Sequence, residues 1–120
     1  MKVAISADGK NMESRVDTRF GRCGFFLIVD LDLDEFNVIS NNSSANLSGG
    51  AGIQTAQSVI DSGVDSVITG HCGPKAFRAL NAVDIKVFSC SDGTVKEAVE
   101  NFKLHKLVQL QGSDVAGHWA

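Results

Sequence analysis

Apolar positions change period several times along the chain, and each change marks an element. Lys2 to Ala7 alternates, with Val3 and Ile5 apolar, and reads as a strand. Phe25 to Leu31 is a nearly continuous apolar run, the signature of a strand covered on both faces. Asp32 to Glu35 supplies a turn. Phe36 to Ser40 follows as a third strand, so close behind that the two must form an antiparallel hairpin. Beyond the loop from Asn41 to Gly52, the period becomes helical. Ile53, Ala56, Ile60 and Val64 define an apolar stripe, with Gln54, Gln57 and Asp61 opposite and Gly63 closing the helix. Ser66 to Thr69 is a short buried strand. Pro74 suits the first turn of a second helix with Ala76, Phe77 and Leu80 inward. Ile85 to Ser89 is the fifth strand, and Val95, Ala98, Val99 and Phe102 mark a third helix. Leu104 to Leu110 is compatible with a short edge strand.

The order β-β-β-α-β-α-β-α predicts an α/β three-layer sandwich. Right-handed crossovers build its parallel part. The predicted sheet is mixed and five-stranded, in the order 3-2-1-4-5, with strand 2 antiparallel. One domain spans residues 1–110, and residues 111–120 are expected to form a flexible tail.

Direction matters more than order. With strand 1 running up, four loops meet at the carboxyl edge of the parallel strands: Asp8 to Arg22, Asn41 to Gly52, Thr69 to Gly73, and Ser89 to Gly93. Open α/β sheets bind ligands at that edge. The unusual residues fall there: a glycine run, His71, three cysteines and three arginines.

Composition narrows the classes. The 120 residues are 43% hydrophobic and 21% charged, with a net charge of -3. That balance fits a globular domain and gives no sign of a nucleic-acid or membrane partner. The first ten residues are too polar for a signal peptide, and no apolar run suits a membrane span, so a cytoplasmic location is expected. Cys23, Cys72 and Cys90 stand at unrelated spacings, which favours reduced thiols over a disulfide framework.

The glycine run, Gly49-Gly50-Ala51-Gly52, opens straight into a helix. Either it allows a tight turn, or it leaves amides bare so that an anion can approach the helix N-terminus. It is neither a Walker loop nor a dinucleotide fingerprint. Thr69-Gly70-His71-Cys72-Gly73-Pro74 puts Cys72 near the start of a helix, where a thiolate is favoured. His71 beside it is a possible ligand or base, although adjacent residues of an extended segment point apart. Cys90 ends the neighbouring strand, within reach of Cys72 if their side chains converge. Arg15, Arg19 and Arg22 supply donors for an oxyanion or a sulfide-rich anion, with Phe20 anchoring their loop. A small core residue is the bland reading for each cysteine, and a solvated Arg–Asp loop, with Arg15 paired to Asp17, for the arginines.

Three motifs in order carry a resemblance. They are Arg15-Val16-Asp17-x-x-Phe20-Gly21-Arg22, then Gly49-Gly50-Ala51-Gly52-Ile53-Gln54-Thr55-Ala56, then Gly63-Val64-Asp65-x-Val67-Ile68-Thr69-Gly70-x-Cys72-Gly73-Pro74. Together they resemble the dinitrogenase iron–molybdenum cofactor biosynthesis family, which includes NifX-like and NafY-like carriers and the C-terminal domain of NifB-type proteins. The resemblance implies a ribonuclease H-like fold and the binding or carriage of an iron–sulfur or molybdenum-containing cluster, with a donor or acceptor protein as partner. It implies a carrier rather than an enzyme. Cofactor-binding candidates are Arg15, Arg19, Arg22, Gly49, Gly50, Gly52, His71, Cys72 and Gly73, with Cys72, His71 and Cys90 as metal ligands. Arg19 occupies a position that is often histidine in the family. A guanidinium does not ordinarily ligate a metal, so capture by charge is implied there, with His71 as a substitute ligand. Two alternatives stay open: a module for a small anion or nucleotide phosphate, and a thiol enzyme using Cys72.

Overall fold

The computed structural model describes residues 1–42 and 49–111. The strands are β1 (Lys2–Ala7), β2 (Phe25–Asp30), β3 (Glu35–Ser40), β4 (Ser66–Thr69), β5 (Lys86–Ser89) and β6 (Val108–Gln109). The helices that build the site and cover the sheet are α1 (Ala51–Asp61), α2 (Pro74–Ala82) and α3 (Val95–Lys103). Part of the loop between β3 and α1, residues 43–48, and the predicted tail from residue 112 onward lie outside the described residues.

All six strands form one sheet in the order β3-β2-β1-β4-β5-β6. The first five follow the predicted order. β2 is antiparallel to both β1 and β3, while β1, β4 and β5 are mutually parallel. The sheet has one strand more than expected. β6 pairs antiparallel with β5 through Phe88–Gln109 and Ser89–Val108. It is two residues long because both of its side chains are exposed, which leaves little apolar burial to extend it.

Alternation sorts the core into two layers. Ala4, Phe26, Ile28, Val67 and Val87 face α1 and α2, meeting Ala56, Val59, Ala76, Phe77 and Leu80. Val3, Ile5, Leu27, Val29 and Ile68 face α3, meeting Val95, Ala98 and Val99.

The predicted stripe of α1 needs correction. Ile53 is 48% exposed, and the buried face is Ala51, Thr55, Ala56 and Val59. Thr55 can turn inward because its hydroxyl donates to Asn41 Oδ1 at 3.0 Å, and Asn41 Nδ2 donates to the Cys23 carbonyl at 3.0 Å. That buried chain ties the end of β3, the approach to β2 and the first turns of α1 together. A satisfied hydroxyl is cheap to bury, and an unsatisfied one is not.

Candidate functional site

The described parts of the loops predicted to meet at the carboxyl edge do meet. The segment between β1 and β2 crosses the whole edge. Its first part lies over α3: Val95 and Lys96 donate their amides to the carbonyls of Ser14 and Met12, and Val16 donates to the Gly93 carbonyl at 3.0 Å. Its second part lies over β4 and α1. The His71 amide donates to the Thr18 carbonyl at 2.6 Å, and the Phe20 amide donates to the His71 carbonyl at 3.0 Å, so Arg19 and His71 stand side by side. Phe20 is the anchor. It is fully buried and meets Phe26 edge-on, with ring centroids 5.4 Å apart.

Glycines make these approaches possible. A Cβ on Gly70 would stand 2.7 Å from Thr18 Cα, and a Cβ on Gly21 would stand 3.0 Å from the Gly52 amide nitrogen. Gly52 in turn lies against α2, its notional Cβ 3.5 Å from that of Ala76. The three sequence motifs are thus packed against one another. Within the glycine run the left-handed residue is Gly50, with φ +74°. Among the described residues, a Cβ added at Gly49, Gly50 or Gly73 would meet no atom within 4 Å.

What results is a hollow of about 320 Å³ between the starts of α1 and α2, lined by Gly50, Gly52, Ile53, Gly73, Pro74 and Lys75, with Ala76 at its floor. Both helices begin at a glycine N-cap that has no side chain to offer, and neither carries an acidic residue in its first turn. The α3 helix is the contrast. Thr94 and Glu97 form a full capping box there, and the hydrogen bond donated by the Thr94 amide holds the Glu97 carboxyl below its usual range. Lys75 places a cation in the first turn of α2, the end where a helix dipole disfavours positive charge. Sequence reasoning missed Lys75, although a lysine directly after an N-terminal proline is a legible oddity.

The arginines do not converge. Arg15 bridges to Thr94 beside α3, and its amide donates to Asp8 Oδ1 at 3.0 Å. Arg19 lies on the α1–α2 side. The expected partner of Asp17 also changes. Asp17 accepts from the Arg19 amide (3.0 Å), Nε (3.2 Å) and Nη2 (3.1 Å), so the pair is Asp17–Arg19 rather than Asp17–Arg15. The Asp17 side chain is 10% exposed and that of Arg19 is 64% exposed. Arg22 and His71 are exposed at the same end.

The cysteines separate as well. Cys72 and Cys23 are buried in the layer facing α1 and α2, while Cys90 packs against the layer facing α3. Neighbouring strand ends lie close, but their side chains leave on opposite faces. Among the described residues, no group of three or more His, Cys, Asp or Glu side chains is gathered to hold a metal ion, so Cys72, His71 and Cys90 do not assemble into one centre. Burial pushes the Cys72 thiol up to about 12. Burial, with the charge of Asp17, does the same to Cys23. Cys90 is also raised by burial, and its thiol donates to the Asp92 carbonyl at 3.3 Å. None of the three is held as a thiolate by its surroundings, and the full burial of Cys72 weighs against it as a nucleophile.

Among the described residues, no helix is long and apolar enough to cross a membrane. Comparison with known proteins agrees with the motifs. The family model for dinitrogenase iron-molybdenum cofactor matches residues 1–105. An uncharacterized protein of Methanocaldococcus jannaschii is 28% identical over 113 residues, covering 92% of each chain. The apo form of the orange protein from Desulfovibrio gigas superposes with a TM-score of 0.89 at 38% identity, covering 92% of this chain and 93% of that one. A candidate NifB protein from Thermotoga gives 0.78 at 34% identity, covering 91% and 92%. The chain therefore belongs to the dinitrogenase iron-molybdenum cofactor family.

Proposed function

We propose that this protein binds and carries an anionic iron–sulfur or molybdenum-containing cluster as an accessory to cofactor assembly, without itself catalysing a reaction. The observation that carries the reading is the meeting of two uncapped helix N-termini at one hollow, with Lys75 on its wall and Arg19, Arg22 and His71 at the same edge. The backbone at Gly49, Gly50 and Gly73 faces open space and carries no side chain, so a group can approach it closely. Membership of the dinitrogenase iron-molybdenum cofactor family and the likeness to the orange protein, known in an apo form, support the same reading.

In this role the amides opening α1 and α2 donate to the cluster's outer sulfur or oxygen atoms, and the dipoles of both helices offset its negative charge. Lys75 and Arg19 add charge, with Asp17 fixing the Arg19 guanidinium. Capture is electrostatic first. The imidazole of His71 is the exposed metal-ligating side chain at the hollow's edge. Cys72 lies beneath the site as a neutral thiol, and a soft metal centre would have to displace its proton to use it. Exposed Ile53 and half-buried Pro74 give the rim an apolar border against which a donor or acceptor protein can seat.

The test is visible-range absorbance and metal content after anaerobic purification. Charge-transfer bands that persist through gel filtration, and weaken in Lys75→Glu, support the cluster. A colourless, metal-free protein that takes up inorganic phosphate at the same residues would replace this reading with that of a small-anion module, since the same amides serve phosphate.

A further inference from the structure

The opposite end of the sheet carries a second cavity. At about 450 Å³ it is larger than the hollow at the carboxyl edge and lies within the range of small-molecule sites. It arises because α3 stops after nine residues. The helix covers the carboxyl side of its sheet face, and a space remains beside the starts of β4 and β5.

Its walls are apolar and aromatic. Phe88 and Phe102 meet edge-on, with centroids 5.0 Å apart and planes at 86°, and Leu107 completes the wall. Its polar side chains are Ser66, Lys86, His105 and Gln109, and Met1, whose terminal ammonium pairs with Asp32, also lines it; no carboxylate side chain is in the lining. Ser66 is only 3% exposed and lines the cavity from the start of β4. His105 takes the left-handed position that ends α3, with φ +57°. Glycine or asparagine ordinarily fills that position, and a bulkier residue there carries strain. The strain is accepted at the one turn residue that reaches the cavity.

We propose that this cavity binds a small aromatic carboxylate. The ring packs on Phe88, Phe102 and Leu107, the carboxylate meets Lys86 and His105, and the Ser66 hydroxyl adds a neutral hydrogen bond. The proposal is independent of the cluster reading, because the two sites stand at opposite ends of the parallel strands.

The experiment is an amide NMR titration of the full chain with phenylacetate, using benzylamine as a probe of similar shape and opposite charge. Phenylacetate should give saturable shifts at Ser66, at 86–88 and at 102–107, with a Kd on the order of 1 mM or tighter. Benzylamine should not. Lys86→Glu should weaken binding at least about tenfold by exchanging attraction for repulsion. His105→Gly should relieve the left-handed strain, keep the fold, and weaken binding by about threefold or more through loss of a charge-assisted contact. Ser66→Ala should weaken it less, as a neutral hydrogen bond does. Linear shifts without saturation, shifts confined to the carboxyl edge, equal binding of benzylamine, or unchanged affinity in both Lys86→Glu and His105→Gly would overturn the proposal.

Discussion

Gly21 and Gly52 face each other so closely that a Cβ on the first would stand 3.0 Å from the amide nitrogen of the second. The glycine run is therefore bare for two separate reasons. Gly52 admits the arginine loop, and Gly50 turns the chain, while Gly49 and Gly73 leave space that no described atom fills. These roles can be told apart by substitution. Gly70→Ala, which drives a methyl into the Thr18 backbone, should cost about 1–3 kcal/mol of stability as an overpacked contact. Gly50→Ala should cost about 1 kcal/mol through its positive φ. Gly49→Ala should stay within about 0.5 kcal/mol. Urea denaturation of the three variants gives the order, and equal losses in all three would show that the close approaches do not limit stability.

The Asp17–Arg19 pair should behave as a fixed unit. Asp17→Ala removes the acceptor of three hydrogen bonds and should cost about 1–3 kcal/mol. Arg19→Ala leaves Asp17 with fewer partners and should cost somewhat less. A double-mutant cycle measures the coupling, and a coupling near zero would mean that Arg19 is held by something other than Asp17.

Cluster retention should respond to charge at the same residue. Arg15 lies beside α3, so Arg15→Ala should leave cluster binding nearly unchanged, while Arg19→Ala and Arg22→Ala weaken it and flatten its salt dependence. Arg19→His sets an imidazole beside His71 and should slow cluster release above about pH 6.5. Dissociation followed by visible absorbance across a salt series checks this. Equal salt slopes for wild type and Arg19→Ala would remove the loop from the site.

The buried thiols predict alkaline instability. Cys23 and Cys72 lose their protons in the folded protein only near pH 12, against about 9 when free. The folded state then holds more protons than the unfolded one between those values. Their contribution is fully present below about pH 9 and is lost as the pH rises toward 12, with a limiting slope of about 1.4 kcal/mol per pH unit for each thiol. Tm measured from pH 8 to 11 should fall less steeply in Cys72→Ala than in wild type, relative to each protein's own value at pH 8. Parallel curves would refute the burial argument.

Much of this was legible because burial on one side leaves a period. The hairpin, the two crossovers and the carboxyl-edge cluster all follow from alternation, helical spacing and strand direction. Ile53 was misread because Ala56 fits either of two neighbouring stripes, and a distant partner, Asn41, decided which one went inward. Cys72 and Cys90 seemed close because strand spacing is simple to infer, whereas the face on which a loop residue leaves the strand is not. The divergence of Arg15 from Arg19 reflects a loop that spans the entire edge, and its path is set by backbone contacts with α3 and β4 that no local pattern encodes. β6 falls inside the Leu104 to Leu110 stretch read as a possible edge strand, but at two residues it is too short for a pattern to fix its bounds or add it to the sheet order.

The strand order has a consequence for how the chain assembles. β1 lies at the middle of the sheet, with β2 and then β3 added on one side and β4, β5 and β6 added in sequence on the other. No strand has to slip between two that are already paired. As the chain leaves the ribosome, the hairpin can close on β1 at once, and each later strand finds a ready edge. Parallel crossovers, ordinarily slow because they close long loops before any contact is made, here dock onto a template that is already in place.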